Sequence, residues 1–155
     1  MCECSAYSDL ELIRESIDKR IATTKKLKKQ LQWVAESPAG DSLYKCDGCQ
    51  QLWQSSHAWN WGNKEYLFKV PTIAVADWME EFFARPDQML LYSGMMHDYF
   101  EKNKFVVSDT PCRKEGCGHN ALVNNVLCKE HFIQSLQQFG MLPKFPEGRM
   151  FSPYG

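Results

Sequence analysis

Cys112, Cys117, Cys128 and His131 stand at the spacing C-x4-C-x10-C-x2-H. Three thiols and an imidazole in two short-spaced pairs are the donor set of a closed, tetrahedral structural zinc site. The remaining cysteines are Cys2, Cys4, Cys46 and Cys49. Cys46 and Cys49 form a C-x2-C pair in YKCDGCQQLW, with Gly48 expected to permit the tight turn that aims backbone N–H groups at the sulfurs. Half a site needs another half, and Cys2 and Cys4 are the thiols left to complete it. Seven cysteines and one histidine make eight ligands, which fill two tetrahedral structural zinc sites without a surplus thiol. The alternative leaves Cys2 and Cys4 free and has Cys46 and Cys49 borrow His57 or another partner. Seven is an odd count, so the thiols cannot all pair as disulfides within one chain, and the expected compartment is the reducing cytoplasm.

The elements that must position these ligands are read from periodicity and turn chemistry. Ser8-Asp9-Leu10-Glu11 has the form of a capping box and predicts the start of a long helix over 8–36. Its apolar stripe, Leu10, Ile13, Ile17, Leu27, Leu31 and Val34, is interrupted by Arg20 and Thr24. A zinc knuckle and small β meander are expected over 43–70, with turns at Asp47-Gly48 and Gly62-Asn63. An acidic helical pair follows over 73–102, its second helix starting at Pro86. A zinc module spans 105–140 and an extended tail 141–155. The fold class expected is α+β: a single, mainly helical domain over 1–155 with a small β meander and two structural zinc sites.

Within 105–140, the alternation HNALVNNVL predicts a hairpin around Asn124-Asn125, and Cys128-Lys129-Glu130-His131 opens a helix with both ligands on one face. Knuckle, hairpin and helix start in that order resemble a treble-clef zinc finger over 112–131. The resemblance implies metal binding only, because treble clefs host many functions. Its knuckle has four intervening residues where the family has two.

Composition narrows the function classes. A net charge of -1 at 155 residues is far from the basic balance of a nucleic-acid binder, and two zinc–thiolate centres would bring the chain to about -4. The basic run Lys25, Lys26, Lys28 and Lys29 reads as a solvated helix end. No apolar run is long enough to span a membrane, and the start lacks a secretion signal. His119-Asn120, Asn124 or Asn125 and His131 read loosely as the His-Asn-His of a ββα-metal nuclease, but His131 is claimed by the closed zinc site. No phosphate loop, nucleophile elbow or isolated reactive cysteine is present, so the chain reads as non-enzymatic.

What remains is surface. Trp53, Trp59 and Trp61 crowd one stretch, where they cover the knuckle or, for Trp59 and Trp61, anchor a partner. From Asp77 to Glu101 six acidic residues face one basic residue, Arg85. Asp77, Glu80, Glu81 and Asp87 are therefore expected to steer a basic protein partner. In general character, aromatic-rich, locally acidic and without catalytic motifs, the chain resembles the small bacterial immunity proteins that neutralise toxins. A zinc-finger adaptor in a nucleic-acid-associated complex is the alternative.

Overall fold

The computed structural model describes residues 2–155. The chain divides into two compact units where the sequence reading has one domain: residues 2–90 with Pro146–Gly155, and Leu91–Phe145.

The first unit is built on a four-stranded antiparallel meander in the order β1-β2-β3-β4, formed by β1 (Gln32–Glu36), β2 (Ser42–Lys45), β3 (Leu52–Ala58) and β4 (Lys64–Val70). Helix α1 (Arg14–Lys28) packs against β4. It buries Ile17, Arg20, Thr24 and Leu27, which recur every three to four residues and so form one stripe. The two polar members of that stripe reach the backbone of the edge strand. Arg20 donates to the Leu67 carbonyl (Nη1–O 2.9 Å) and the Ser8 carbonyl (2.6 Å), while Thr24 Oγ1 accepts the Leu67 N–H at 3.1 Å. These contacts satisfy backbone groups that an edge strand otherwise leaves to water or to another chain.

Two expectations are corrected here. The long helix over 8–36 is a 15-residue helix, Arg14–Lys28, followed by strand β1. Its N-cap is Ile13, without a side-chain cap, and the Ser8 carbonyl is held by Arg20 instead. The fold is a mixture of helix and sheet rather than mainly helical, because β1 adds a fourth strand and the first helix of the acidic pair shrinks to α2 (Val75–Glu80). The second helix of that pair, α3 (Pro86–Lys102), begins at Pro86 as expected.

A buried polar core ties the sheet to the segment after α2. Gln54, fully buried, accepts from Trp78 Nε1 (2.9 Å) and the Phe83 N–H (3.0 Å) and donates to the Phe83 carbonyl. Asp41 receives Arg85 through both carboxylate oxygens (2.9 and 2.6 Å) and the Ser56 hydroxyl (2.6 Å). The C-terminal tail returns to this unit. Arg149 exchanges backbone hydrogen bonds with Phe82 and Ala84, and Phe151 packs on Phe68 and Phe83. Gly148, at φ +108°, takes a conformation that side chains rarely adopt, and a Cβ there would lie 2.7 Å from the Ala84 nitrogen.

In the second unit β5 (Val107–Pro111) pairs antiparallel with β6 (Asn120–Leu122), and α4 (Lys129–Gln138) follows. The turn after β6 places Asn124 at φ 60°, with the Leu122 N–H bonded to the Leu127 carbonyl, as the Asn124-Asn125 signal predicts. Gly140 sits beyond the end of α4 at φ 76°. No helix among the described residues is long and apolar enough to cross a membrane.

Candidate metal centres

Two groups of four side chains bring their ligand atoms within 4.8 Å of one another: Cys2, Cys4, Cys46 and Cys49, and Cys112, Cys117, Cys128 and His131. All eight sequence-derived ligands fall in these groups, and the first group includes the two N-terminal cysteines. His57, the alternative ligand, is exposed on β3 outside both groups. Each compact unit contains one group.

The second group is assembled by β5, the knuckle after it and the start of α4. Cys112 follows β5 directly, and its N–H donates to the His119 carbonyl at 2.9 Å, closing the knuckle. Gly116 supplies the left-handed turn at φ 77°. Cys128 is the N-cap of α4 and His131 lies in its first turn. The Cys117 and Cys128 sulfurs are 3.8 Å apart, and His131 Nδ1 is 3.2 Å from Cys128 Sγ and 3.5 Å from Cys112 Sγ. A zinc ion about 2.3 Å from sulfur puts tetrahedral sulfur pairs about 3.8 Å apart, so the observed edges match that geometry. The Cys128 N–H also donates to Cys112 Sγ at 3.3 Å. Burial raises the Cys112 thiol pKa, but the N–H groups of Cys128 and Lys114 and the His131 side chain outweigh it, lowering it to about 6. The site therefore presents a thiolate at neutral pH.

The first group is assembled by the chain start and the β2–β3 turn. A short 3₁₀ turn, Cys4–Ala6, carries Cys4 into the core, where Cys4 and Cys46 pack with Leu27, Leu31, Tyr44, Trp53 and Leu67. The N–H of Cys49 and its neighbours lower the Cys46 thiol to about 7, against burial. Cys4 moves the other way, up to about 12, because burial and the neighbouring Cys46 sulfur disfavour a second charge. Gly48 plays a different part from the one expected. The left-handed residue of this knuckle is Gln50, at φ 65°, whose N–H bonds the Cys46 carbonyl. Gly48 supplies space: a Cβ there would stand 3.1 Å from the Cys2 Cβ.

The donor sets fit zinc in both places, four soft or borderline ligands each and no coordination position left over. His119, the first member of the loose nuclease motif, is exposed, with Nδ1 3.9 Å from Cys117 Sγ. His131, the last member, faces the thiols. A groove of about 860 Å³ opens in the second unit, with Tyr92, Met96, Phe100 and Ile133 lining it beside His119 and Lys129. Its lining comes from α3, from Val107 on β5, from residues 118–120 and from α4 with its N-cap Cys128.

The six residues expected to meet a partner divide sharply. Asp77, Glu80 and Glu81 are exposed on or just after α2, and Trp59 is 73% exposed. Asp87 is buried, bonded through Oδ1 to the Tyr66 hydroxyl at 2.5 Å, and Trp61 is buried under the Arg14 guanidinium, 4.5 Å from its ring. Neither is available to a partner in this fold. Asp87 is the second residue of α3, where its carboxylate complements the helix dipole, so a pattern of acidic residues concealed a structural aspartate.

No protein-family model matches the chain, and neither a curated protein nor a solved structure matches it.

Proposed function

We propose that this is a zinc-stabilised binding protein whose two metal ions hold the fold and whose work is done by its surface. The observation that carries this reading is that both ligand groups are complete. Four protein donors close a tetrahedral shell, and a hydrolytic zinc needs a position for water. The partner class follows from charge. Asp77, Glu80 and Glu81 project from one short helix and its end, and none of their carboxylates enters an ion pair among the described residues. Unpaired exposed carboxylates of this kind speed association with a basic surface. A basic protein bound stoichiometrically is the partner, and neutralisation of a toxin, in the manner of a bacterial immunity protein, is the finer form of the proposal. A zinc-finger adaptor in a nucleic-acid-associated complex is the second reading, favoured by the treble-clef-like order of knuckle, turn and helix.

Affinity capture of the tagged full-length chain from its native cells, followed by mass spectrometry, tests it. The expected result is a stoichiometric basic protein that binds more slowly as salt rises. Glu80→Lys with Glu81→Lys should slow association about tenfold or more without changing zinc content. Unchanged association would remove α2 from the interface. Recovery of RNA polymerase or ribosomal components would replace the inhibitor reading with the adaptor.

A further inference from the structure

The groove of about 860 Å³ in the second unit is walled by two helix stripes. On α3 Tyr92, Met96 and Phe100 recur every four residues, and on α4 Lys129, Ile133 and Gln137 do the same, so each stripe lines about 12 Å of it at 1.5 Å per residue. Its volume and its mainly apolar walls are those of a small-molecule site between helices. The chain itself covers these walls only in part. Phe132, Ile133 and Leu136 share one side of α4, yet no residue of that helix is buried, and Phe100 is 40% exposed.

The two stripes meet at one end of the groove. Phe100 closes the α3 stripe and Lys129 opens the α4 stripe, and the Lys129 ammonium lies 4.9 Å from the Phe100 ring centroid and 5.1 Å from that of Phe105. The rings hold the cation in place. It carries three N–H donors and enters no ion pair among the described residues, so it faces the groove with donors to spare. Glu130 is the one carboxylate in the lining, and it is exposed with no cation within ion-pair distance to fix it. Away from Lys129 the walls are Met96 and Ile133. At the far end Tyr92 is backed edge-on by the Phe145 ring at 5.3 Å.

We propose that this groove binds a linear amphiphilic carboxylate, a free medium-chain fatty acid, with its carboxylate on Lys129 and its chain running past Met96 and Ile133 toward Tyr92. A fixed cation followed by an apolar channel selects that chemistry: a cationic head meets Lys129 with like charge, and a neutral head forgoes the charge-assisted hydrogen bond. The site lies wholly within the second unit and makes no use of the acidic residues of α2, so it stands or falls separately from the protein partner.

Calorimetric titration of the full-length, zinc-loaded protein with decanoate tests it, alongside decanol and decylamine. One decanoate per chain is expected, binding about tenfold or more tighter than either analogue, with the methyl resonances of Met96 and Ile133 shifted. Lys129→Gln should remove that preference for the acid, and Glu130→Gln should tighten decanoate binding by relieving like charge. Both are exposed positions, and an unchanged zinc content and circular dichroism spectrum confirm that each variant is folded. Ile133→Trp, which fills the channel, should abolish binding. Absence of decanoate binding, equal affinity for decanol, or wild-type affinity in Lys129→Gln overturns the proposal. Should the same methyl resonances move instead on raising the protein concentration alone, or on adding a captured protein partner while decanoate does nothing, the groove is a protein-docking face and the proposal is overturned.

Discussion

Glu65 on β4 accepts Lys28 Nζ through both oxygens, at 2.8 and 3.0 Å, and the Ser55 hydroxyl at 2.6 Å. Burial works to raise its pKa, but Lys28 and Ser55 outweigh burial and hold it below the ordinary 4.5. The unfolded chain therefore binds this proton more readily than the folded one. Stability from the group is complete above pH 4.5 and is lost as pH falls through the lowered value. Glu65→Gln should flatten the acid limb of the stability curve and cost roughly 0.5–1 kcal/mol at pH 7, the modest figure reflecting a side chain that water still reaches. Urea denaturation between pH 3 and 7 measures both, and an unchanged slope would count against the pairing. At this scale the eight metal ligands were legible because coordination chemistry restricts residue type and spacing together. The roles of Gln50, Gly48 and Asp87 were not. A left-handed glutamine, a glycine whose value is the space it leaves for Cys2 and an aspartate buried under Tyr66 depend on neighbours brought in by the fold.

Helix α1 shows how an element can be recognised and still be mismeasured. Its periodicity is real, but its end is decided by β1, whose partner β2 takes residues 32–36 into the sheet and stops the helix at Lys28. Local pattern carries no trace of that pairing. Nor does it show that Arg20 and Thr24, which break the apolar stripe, are the residues that dock it on Leu67. Thr24→Val tests this docking, since valine preserves the shape and removes the oxygen that accepts the Leu67 N–H. A loss of about 1–3 kcal/mol is expected, the cost of stranding a buried donor, with the helix content nearly unchanged. Thermal or denaturant unfolding gives the first quantity and far-ultraviolet circular dichroism the second. A loss below about 0.5 kcal/mol would mean that water reaches the edge of β4 and replaces the hydroxyl. α3 is the contrasting case, where proline at the first position and a long amphipathic run made the start readable to the residue.

At the scale of the whole molecule the arithmetic of two four-ligand centres distributes one to each compact unit. Cys112→Ser is expected to reduce zinc from two ions per chain to one and to raise amide exchange across β5, β6 and α4, leaving the exchange of β2 and β3 slow. Cys2→Ser with Cys4→Ser should do the reverse, loosening the β2–β3 turn and sparing α4. Exchange mass spectrometry reads both, and a global loss of protection in either variant would show that the units do not hold separately. The division into two units was not legible, because the first unit is discontinuous in sequence and no linker composition marks residues 91 or 145. That discontinuity also sets an order in time. The ribosome makes the 55 residues of Leu91–Phe145 before it makes the tail that brings Phe151 onto Phe68. At about 5–20 residues per second this is a delay of several seconds. Throughout that delay the sheet of the first unit lacks the ring that completes its core.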